Sequence, residues 1–367
     1  MAFLSVRTAS FRNLKDAGIN AQAKDVFLIG ENGQGKTNFL EALYFCSYAS
    51  SFRGVRDADL ARHGEEAFSA SAELGPLWQE ESLRTRIAIS FENSRKAIKL
   101  DGKKIEDRKD LLEINPCVAF CHEDMEFVSG AQEKRRWFFD QTQSLYDPFY
   151  LEDLRRYRRI LKTRNTLLRE AKIKGDHRRA EDLLEVLDPQ LAEYGARLME
   201  KRTARAERFS TLFSPLYKEV SGIEGVGVSY APSWKGDSDP LSYLNSRRDA
   251  DLAQGGTLSG PHRDRYFFKR EGKDFSAPAS TGQRRLLALL LRTAQARGFS
   301  EVKGKLPVLL LDDVLLELDG EKRRRFLSVM PGYEQAFFTF LPEEPYKKYG
   351  KSGTVMYYVR DGVISEI

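Results

Sequence analysis

Long apolar stretches are missing from this chain. No run of 18 or more apolar residues occurs in its 367 positions, which excludes a transmembrane helix. The opening segment, MAFLSVRTASFRN, has neither the apolar core nor the small-residue cleavage site of a signal peptide, so a cytoplasmic location is expected and no membrane partner. Cysteine is scarce: Cys46, Cys117 and Cys121 are too few for a disulfide framework, and no C-x-x-C pair exists. Cys117, Cys121 and His122 stand close together, but a fourth metal ligand is missing, so buried strand cysteines are expected. Internal repeats, low-complexity tracts, zinc-finger spacings and an evident helix-turn-helix are also absent.

What remains is a globular composition, 31% charged and 41% hydrophobic, long enough for two domains or for one domain with a large insertion. Lys and Arg number 59 against 54 Asp and Glu, a net charge of +5 that permits a nucleic-acid partner without demanding one.

The first hundred residues read as strand-rich. Phe68, Ala70, Ala72 and Leu74 alternate, as do Ile87, Ile89 and Phe91, then Ile98 and Leu100. Turn residues Asn93-Ser94 and Asp101-Gly102 separate them, which predicts antiparallel hairpins. Pro116 to Phe120 is a further short apolar run. From Leu151 to Lys174 apolar residues recur at helical spacing; further helices are expected over 178–187 and 190–213, divided by Asp188-Pro189. The first strand signal after these helices is Val226-Gly227-Val228, and strand character returns near Thr257 and at Tyr266 to Phe268. A helix is expected over 283–297, then strands at Val308 to Leu311, Gln335 to Phe340 and Val355 to Val359, and a final hairpin at Asp361-Gly362. The expected architecture is therefore α/β at both ends, residues 1–130 and 251–367, with an all-helical insertion over 131–250.

The most specific local signal is Gly30 to Thr37, GENGQGKT, between the apolar run Val26 to Ile29 and the helix-like run Asn38 to Leu43. This is G-x-x-x-x-G-K-[ST] in its strand–turn–helix setting. The four fixed positions arise by chance in roughly one chain in a hundred of this length. Backbone N–H groups of Gly30, Glu31, Asn32, Gly33, Gln34, Gly35, Lys36 and Thr37 would form a concave anion site at a helix N-terminus. Lys36 would reach the β- and γ-phosphates, and the Thr37 hydroxyl would ligate Mg²⁺.

Such a loop needs a second acid for its metal. Leu309-Leu310-Leu311-Asp312-Asp313 supplies one: a buried strand delivers Asp312 at its C-terminal edge, alongside Thr37, and leaves Asp313 to position or deprotonate a water. Ser280-Thr281-Gly282-Gln283 precedes a helix one element earlier, the order in which ABC-class ATPases carry their signature before the acidic strand. Read alone, it is a helix N-cap. Glu317-Leu318-Asp319 follows at the position of the loop that crosses to a second subunit in that class.

Together with Phe11-Arg12-Asn13, Ser51-Phe52-Arg53, EKRRWFFD at 133–140 and SGPHRD at 259–264, these segments resemble the RecF family of bacterial recombination-repair ATPases, relatives of SMC heads. The matches span most of the chain and are weakest in the helical third. The resemblance implies an ABC-class P-loop head with an inserted helical arm, ATP and Mg²⁺ bound by residues 30–37, metal held by Thr37 and Asp312, and Asp313 as general base beside Lys36. It implies that Ser280, Gly282 and Gln283 cover the γ-phosphate of ATP held by a second copy. It further implies an ATP-dependent homodimer that clamps double-stranded and gapped DNA, and RecO and RecR as partners in loading RecA. Arg12 and Asn13 are expected near the nucleotide. Two departures stand out: Asp264 is followed by Arg265 where the family usually has a second acid, and around Phe120, where the family often has Ser-Pro before its acids, this chain has Cys121-His122-Glu123-Asp124, leaving the lid glutamine unreadable.

Two further motifs carry open readings. In the 260–264 turn His262 invites a catalytic role, against a structural turn in which Arg263 and Asp264 pair. Arg135 and Arg136 either contact DNA or brace the arm. The segment 151–179 holds 11 basic and 4 acidic residues, a larger excess than that of the entire chain. Its Arg155, Arg156, Arg158, Arg159, Lys162 and Arg164 form a basic helix suited to phosphate backbone rather than base readout; of these, Arg155, Arg156, Arg159 and Lys162 are the DNA-binding candidates. The alternatives to a slow DNA-dependent ATPase are an ATP-latched DNA-binding module with negligible turnover, an ABC subunit of another system such as a transporter, and a nuclease, for which no second acidic cluster is present.

Overall fold

The structure, a computed structural model, describes residues 1–78, 83–175, 177–235, 239–315 and 318–367. In chain order the elements are β1 (Ala2–Ala9), β2 (Ala17–Asn20), β3 (Asp25–Ile29), α1 (Lys36–Tyr48), β4 (Phe68–Gly75), β5 (Thr85–Glu92), β6 (Arg95–Leu100), β7 (Lys103–Ile105), α2 (Lys109–Leu112) and β8 (Cys117–Phe120). There follow α3 (Met125–Ser129), α4 (Gln132–Tyr146), α5 (Pro148–Lys174), α6 (His177–Ser221), β9 (Val226–Ala231), α7 (Pro240–Ser246), α8 (Arg248–Gln254), β10 (Arg265–Arg270) and β11 (Lys273–Asp274). The chain closes with α9 (Thr281–Lys303), β12 (Val308–Leu311), α10 (Gly320–Ser328), β13 (Gln335–Phe340), β14 (Val355–Arg360) and β15 (Val363–Glu366).

Two compact units result, Met1–Asp124 with Leu291–Ile367, and Met125–Leu290. The first holds two sheets. One is antiparallel, in the order β2-β1-β4-β5-β6-β7; the other runs β15-β14-β3-β13-β12-β8 and is parallel except for β15. The alternation read in β4, β5 and β6 buries Phe68, Ala70, Ala72, Leu74, Ile87, Ile89, Phe91 and Ile98 in one core with α1. Asn93-Ser94 and Asp101-Gly102 take positive φ at both turn positions (50°, 58°, 47° and 80°), the geometry that matches strand twist in a two-residue hairpin. Every residue of β3 and of β12 is buried, as the unbroken apolar runs require of central parallel strands.

In the second unit, α5 and α6 pack through a stripe at Tyr150, Leu154, Tyr157, Leu168 and Ala171, the three-and-four spacing of a helix face. Asp147 caps α5 by accepting from the Phe149 N–H at 2.9 Å, with Pro148 at its first position, so the helix starts before the expected Leu151. Asp188-Pro189 does not divide two helices: α6 runs 45 residues through Pro189 and Pro215. The lost amide donor is outweighed by packing, since Leu184, Leu191 and Ala192 are buried on either side.

The expectation of an all-helical insertion is overturned. Strand β9 lies inside 131–250 and pairs antiparallel with β10, in a three-stranded sheet ordered β11-β10-β9. A strand needs a partner, and this one comes from beyond the expected boundary; the second unit reaches past 131–250 at both ends. Thr257, read as near a strand, lies in a loop.

Candidate nucleotide site

Residues 30–35 turn between β3 and α1 at the C-terminal edge of the parallel sheet. Gly33 and Gly35 adopt φ of 79° and 117°, open to glycine and strained for other residues. A Cβ on Gly30 would lie 2.3 Å from the Val359 carbonyl oxygen, so close packing against β14 requires glycine there too. The Lys36 ammonium is buried and donates to the carbonyls of Gly30 (2.6 Å) and Glu31 (3.2 Å).

The acidic strand arrives as expected. Thr37 Oγ1 donates to Asp312 Oδ1 at 2.8 Å, joining residues 275 positions apart. Between β3 and β12 lies β13, and its Thr339 is the organiser. The Thr339 hydroxyl accepts from the Asp313 N–H at 2.7 Å and lies 3.2 Å from Asp312 Oδ1 and 2.9 Å from Asp313 Oδ1. Asp313 has φ 49°, a left-handed conformation that turns its carboxylate away from the strand axis. Burial first, then the neighbouring Asp313 charge, push the Asp312 carboxyl up to about 6. A hydroxyl, two adjacent carboxylates and a glycine cradle form the donor set that suits Mg²⁺ and a polyphosphate. Lys36, Thr37, Asp312 and Asp313 are thus brought together.

Further residues, absent from the predicted site or placed near it only by resemblance, hold the loop and its helix. Asn13 Nδ2 donates to the Gly33 carbonyl at 3.0 Å, and Asn13 Oδ1 accepts from Asn38 Nδ2 at 2.7 Å. Arg53 donates to Asn38 Oδ1 at 3.0 Å and pairs with Glu123 at 3.4 Å. Glu41, fully buried in α1, accepts from Arg12 at 2.9 and 3.2 Å and from Ser51, and lies 3.5 Å from Arg53. The F-R-N and S-F-R segments therefore serve one buried carboxylate and one loop. A charge inside an otherwise apolar helical run, and a lone Thr in Gln335 to Phe340, were the available signals for Glu41 and Thr339. After β8, Asp124 is buried, and Arg292 donates to it at 2.7 Å. Cys117 is buried against Ser47 Oγ at 2.9 Å, and burial pushes its thiol up to about 12. Among the described residues no cluster of His, Cys, Asp and Glu suits a metal ion on its own.

Ser280, Gly282 and Gln283 belong to the second unit. They form a reciprocal cap on α9: the Gln283 N–H donates to Ser280 Oγ at 3.2 Å, and the Ser280 N–H donates to Gln283 Oε1 at 2.8 Å. Thr281 and Gly282 are exposed, and a Cβ at Gly282 would meet nothing within 4 Å. Glu317 lies outside the described residues; Asp319 caps α10 through the Lys322 N–H at 2.9 Å.

Elsewhere in that unit the basic residues divide. Arg156, Arg159 and Lys162 are exposed on α5, Arg156 donating to Tyr194 Oη at 2.7 Å, and Arg155 is partly buried. Arg158 reaches Asp140 at 3.3 Å. Arg164, counted with the basic face, is wholly buried and donates to Asp188 and Asp251, both at 2.7 Å. Arg135 is buried as well, donating to the carbonyls of Val128 (2.7 Å) and Tyr266 (3.1 Å), and Arg136 donates to the Asp264 carbonyl at 2.7 Å. Both brace their own unit. Asp264 does not pair with Arg263; it takes Arg202 at 2.7 Å, with Tyr230 and the Ser233 N–H. A buried guanidinium from α6 fills all of its directions better than a neighbour in a tight turn. His262 bridges Tyr157 Oη (2.8 Å) and the Thr257 carbonyl (3.1 Å), and burial holds its imidazole down to about 4, which fits the structural role.

Fold and site together define a P-loop NTPase head of the ABC class carrying a helix-rich insertion. The RecF/RecN/SMC N terminal domain model matches residues 4–364, and the chain belongs to the RecF family. It is 41% identical over 359 residues to the DNA replication and repair protein RecF of Treponema pallidum (strain Nichols), covering 97% of this chain and 99% of that protein. The RecF of Leptospira interrogans (serovar copenhageni) is 30% identical over 362 residues, covering 98% and 97%. Among solved structures, the recombination mediator protein RecF with ATP in the RecFOR pathway superposes with TM-score 0.88 at 29% identity, covering 100% of this chain and 99% of that one. An Smc head domain from Pyrococcus furiosus reaches TM-score 0.55 at 17% identity, covering 100% and 95%, a likeness of fold.

Proposed function

We propose that this chain is an ATP-dependent DNA-binding protein of replication and recombinational repair, acting as a two-fold clamp. The observation that carries the reading is the 2.8 Å Thr37–Asp312 contact at a glycine loop, which assembles a metal-and-phosphate donor set from two distant segments. Gly30 to Thr37 cradle the phosphates of ATP, with Lys36 turning from the Gly30 and Glu31 carbonyls toward them. Thr37 and Asp312 hold Mg²⁺, which when bound supplies positive charge against the phosphate oxygens. Asp313 orients and deprotonates the attacking water, in a slow hydrolysis.

The α9 N-terminus is exposed at Ser280 and Gly282, and with Gln283 these residues cover the γ-phosphate of ATP on a second copy. Two such sites follow from two-fold symmetry. ATP then joins the heads and hydrolysis parts them. Arg155, Arg156, Arg159 and Lys162 contact the backbone of double-stranded or gapped DNA, and RecR and RecO are the partners through which RecA is loaded. The RecFOR-pathway neighbour supports this assignment of partners.

Retention of gapped DNA by the Asp313→Asn chain tests the reading. With MgATP the variant holds DNA longer than the wild type, because ATP is bound and not cleaved. Unchanged retention together with normal turnover removes Asp313 from the base role. Negligible turnover in the wild type, with ATP-dependent retention intact, leaves the latch alternative.

A further inference from the structure

The crest of the glycine loop is gripped from outside by the last hairpin of the chain. Asp361 and Gly362 form the β14–β15 turn with φ of 48° and 77°. In such a turn the two central amides make no ladder bonds and are available as a donor pair. Here the Gly362 N–H donates to the Gln34 carbonyl at 3.0 Å, and the Asp361 N–H donates to the Gln34 side-chain oxygen at 2.6 Å. The turn is itself fixed: the Lys15 N–H donates to the Gly362 carbonyl at 2.9 Å, and a Cβ on Gly362 would lie 2.0 Å from the Asn13 carbonyl oxygen. Asn13 meanwhile takes the Gly33 carbonyl.

Resting on the nucleotide reading above, we infer that the Asp361-Gly362 turn, through Gln34, is a positioning element that presets the loop amides for phosphate. A trans peptide is planar, so its C=O and N–H point in opposite directions. Holding the Gly33 carbonyl outward on Asn13 turns the Gln34 N–H inward; holding the Gln34 carbonyl outward on Gly362 does the same for the Gly35 N–H. Two phosphate donors are thereby oriented before nucleotide arrives, and no peptide has to rotate on binding. The Gln34 side chain adds a second tether from the same residue to the same turn, so a loop whose glycines are free to flip is held in one arrangement. Parallel pairing of β14 with β3, the strand that feeds the loop, fixes the hairpin's height.

The test is Gln34→Ala in the full chain, which removes one hydrogen bond of the grip and no phosphate donor. Hydrogen exchange of the 30–36 segment in the ligand-free protein speeds up, the melting midpoint is unchanged, and the dissociation constant for MgADP rises about five-fold, the worth of one hydrogen bond. Unchanged exchange overturns the inference whether or not nucleotide binds. Faster exchange with unchanged MgADP affinity also overturns it. A wild-type chain that binds no MgADP sinks the nucleotide reading instead, and the exchange experiment still decides whether the turn orders the loop.

Discussion

The glycine loop and the helical hairpin use charge in opposite ways. Around the loop, cationic and acidic groups are not paired with one another: buried Lys36 rests on two carbonyls, and Asp312 and Asp313 share one side of Thr339. On α5 and α6 the buried arginines are closed by carboxylates, some from neighbouring elements. Arg164 is enclosed by Asp188 and Asp251, and Arg202 by Asp140 and Asp264, with guanidinium distances of 2.7–2.8 Å. The first arrangement is poised for a ligand; the second holds a unit of helices and one small sheet in a single packing. The difference teaches that a basic residue count mixes populations that only their partners in the fold separate.

Breaking the closed pairs is expected to have the largest effect. Arg202→Met leaves buried Asp264 without its cation and Asp140 with Arg158 alone, and lowers the stability of the second unit by about 3–5 kcal/mol, read by chemical denaturation. A loss no larger than at an exposed arginine such as Arg159→Met would make the contrast between closed and open charge untenable.

Acid sharpens the same contrast. The His262 imidazole titrates near 4 in the folded state against 6.5 unfolded, because burial penalises its charged form. The unfolded chain therefore binds more protons between those values. Stability is whole above about 6.5 and falls by up to about 3 kcal/mol as pH drops towards 4. His262→Gln should flatten that portion of the denaturation-versus-pH curve; an unaltered slope would mean another group sets it.

At the open site, Lys36→Ala removes a charge-assisted contact with phosphate and should weaken MgATP binding about 10- to 100-fold while sparing the melting midpoint. Calorimetric titration reads it, and equal affinity would place the phosphates elsewhere. The smallest effect belongs to the exposed arginines. Arg156→Ala with Arg159→Ala should weaken DNA binding evenly across sequences and reduce the slope of log affinity against log salt by about 1 per lost contact. A slope that stays put would move the DNA surface off α5.

Much of this molecule was legible because its signals are local. The glycine loop, the Asp312 strand, the alternating hairpins and both positive-φ turns depend on residues next to one another. What was missed depends on residues far apart. Arg164 reads as one more cation on a basic helix until the stripe at Tyr157, Leu168 and Ala171 is seen to continue through it. Pro189 reads as a helix break because its cost is local and its compensation, the packing of Leu184 and Leu191, is not. Strand β9 shows in Val226 to Val228, but its sheet does not, because its partner β10 lies more than thirty residues on. Thr339 carries no motif, and Asp361-Gly362 reads only as a hairpin turn; their roles come from the strand order β14-β3-β13-β12, which puts them beside a loop some 300 residues earlier. The chemistry of each element could be read from its own residues, whereas its neighbours required the fold.

The central claim is that ATP completes a site shared by two copies of the chain. Sedimentation of this chain with gapped DNA, with and without saturating MgATP, tests it most directly. The account predicts two 41.9 kDa chains per DNA complex with MgATP, and loss of that species in Lys36→Ala. A chain that remains monomeric with saturating nucleotide and DNA would contradict it.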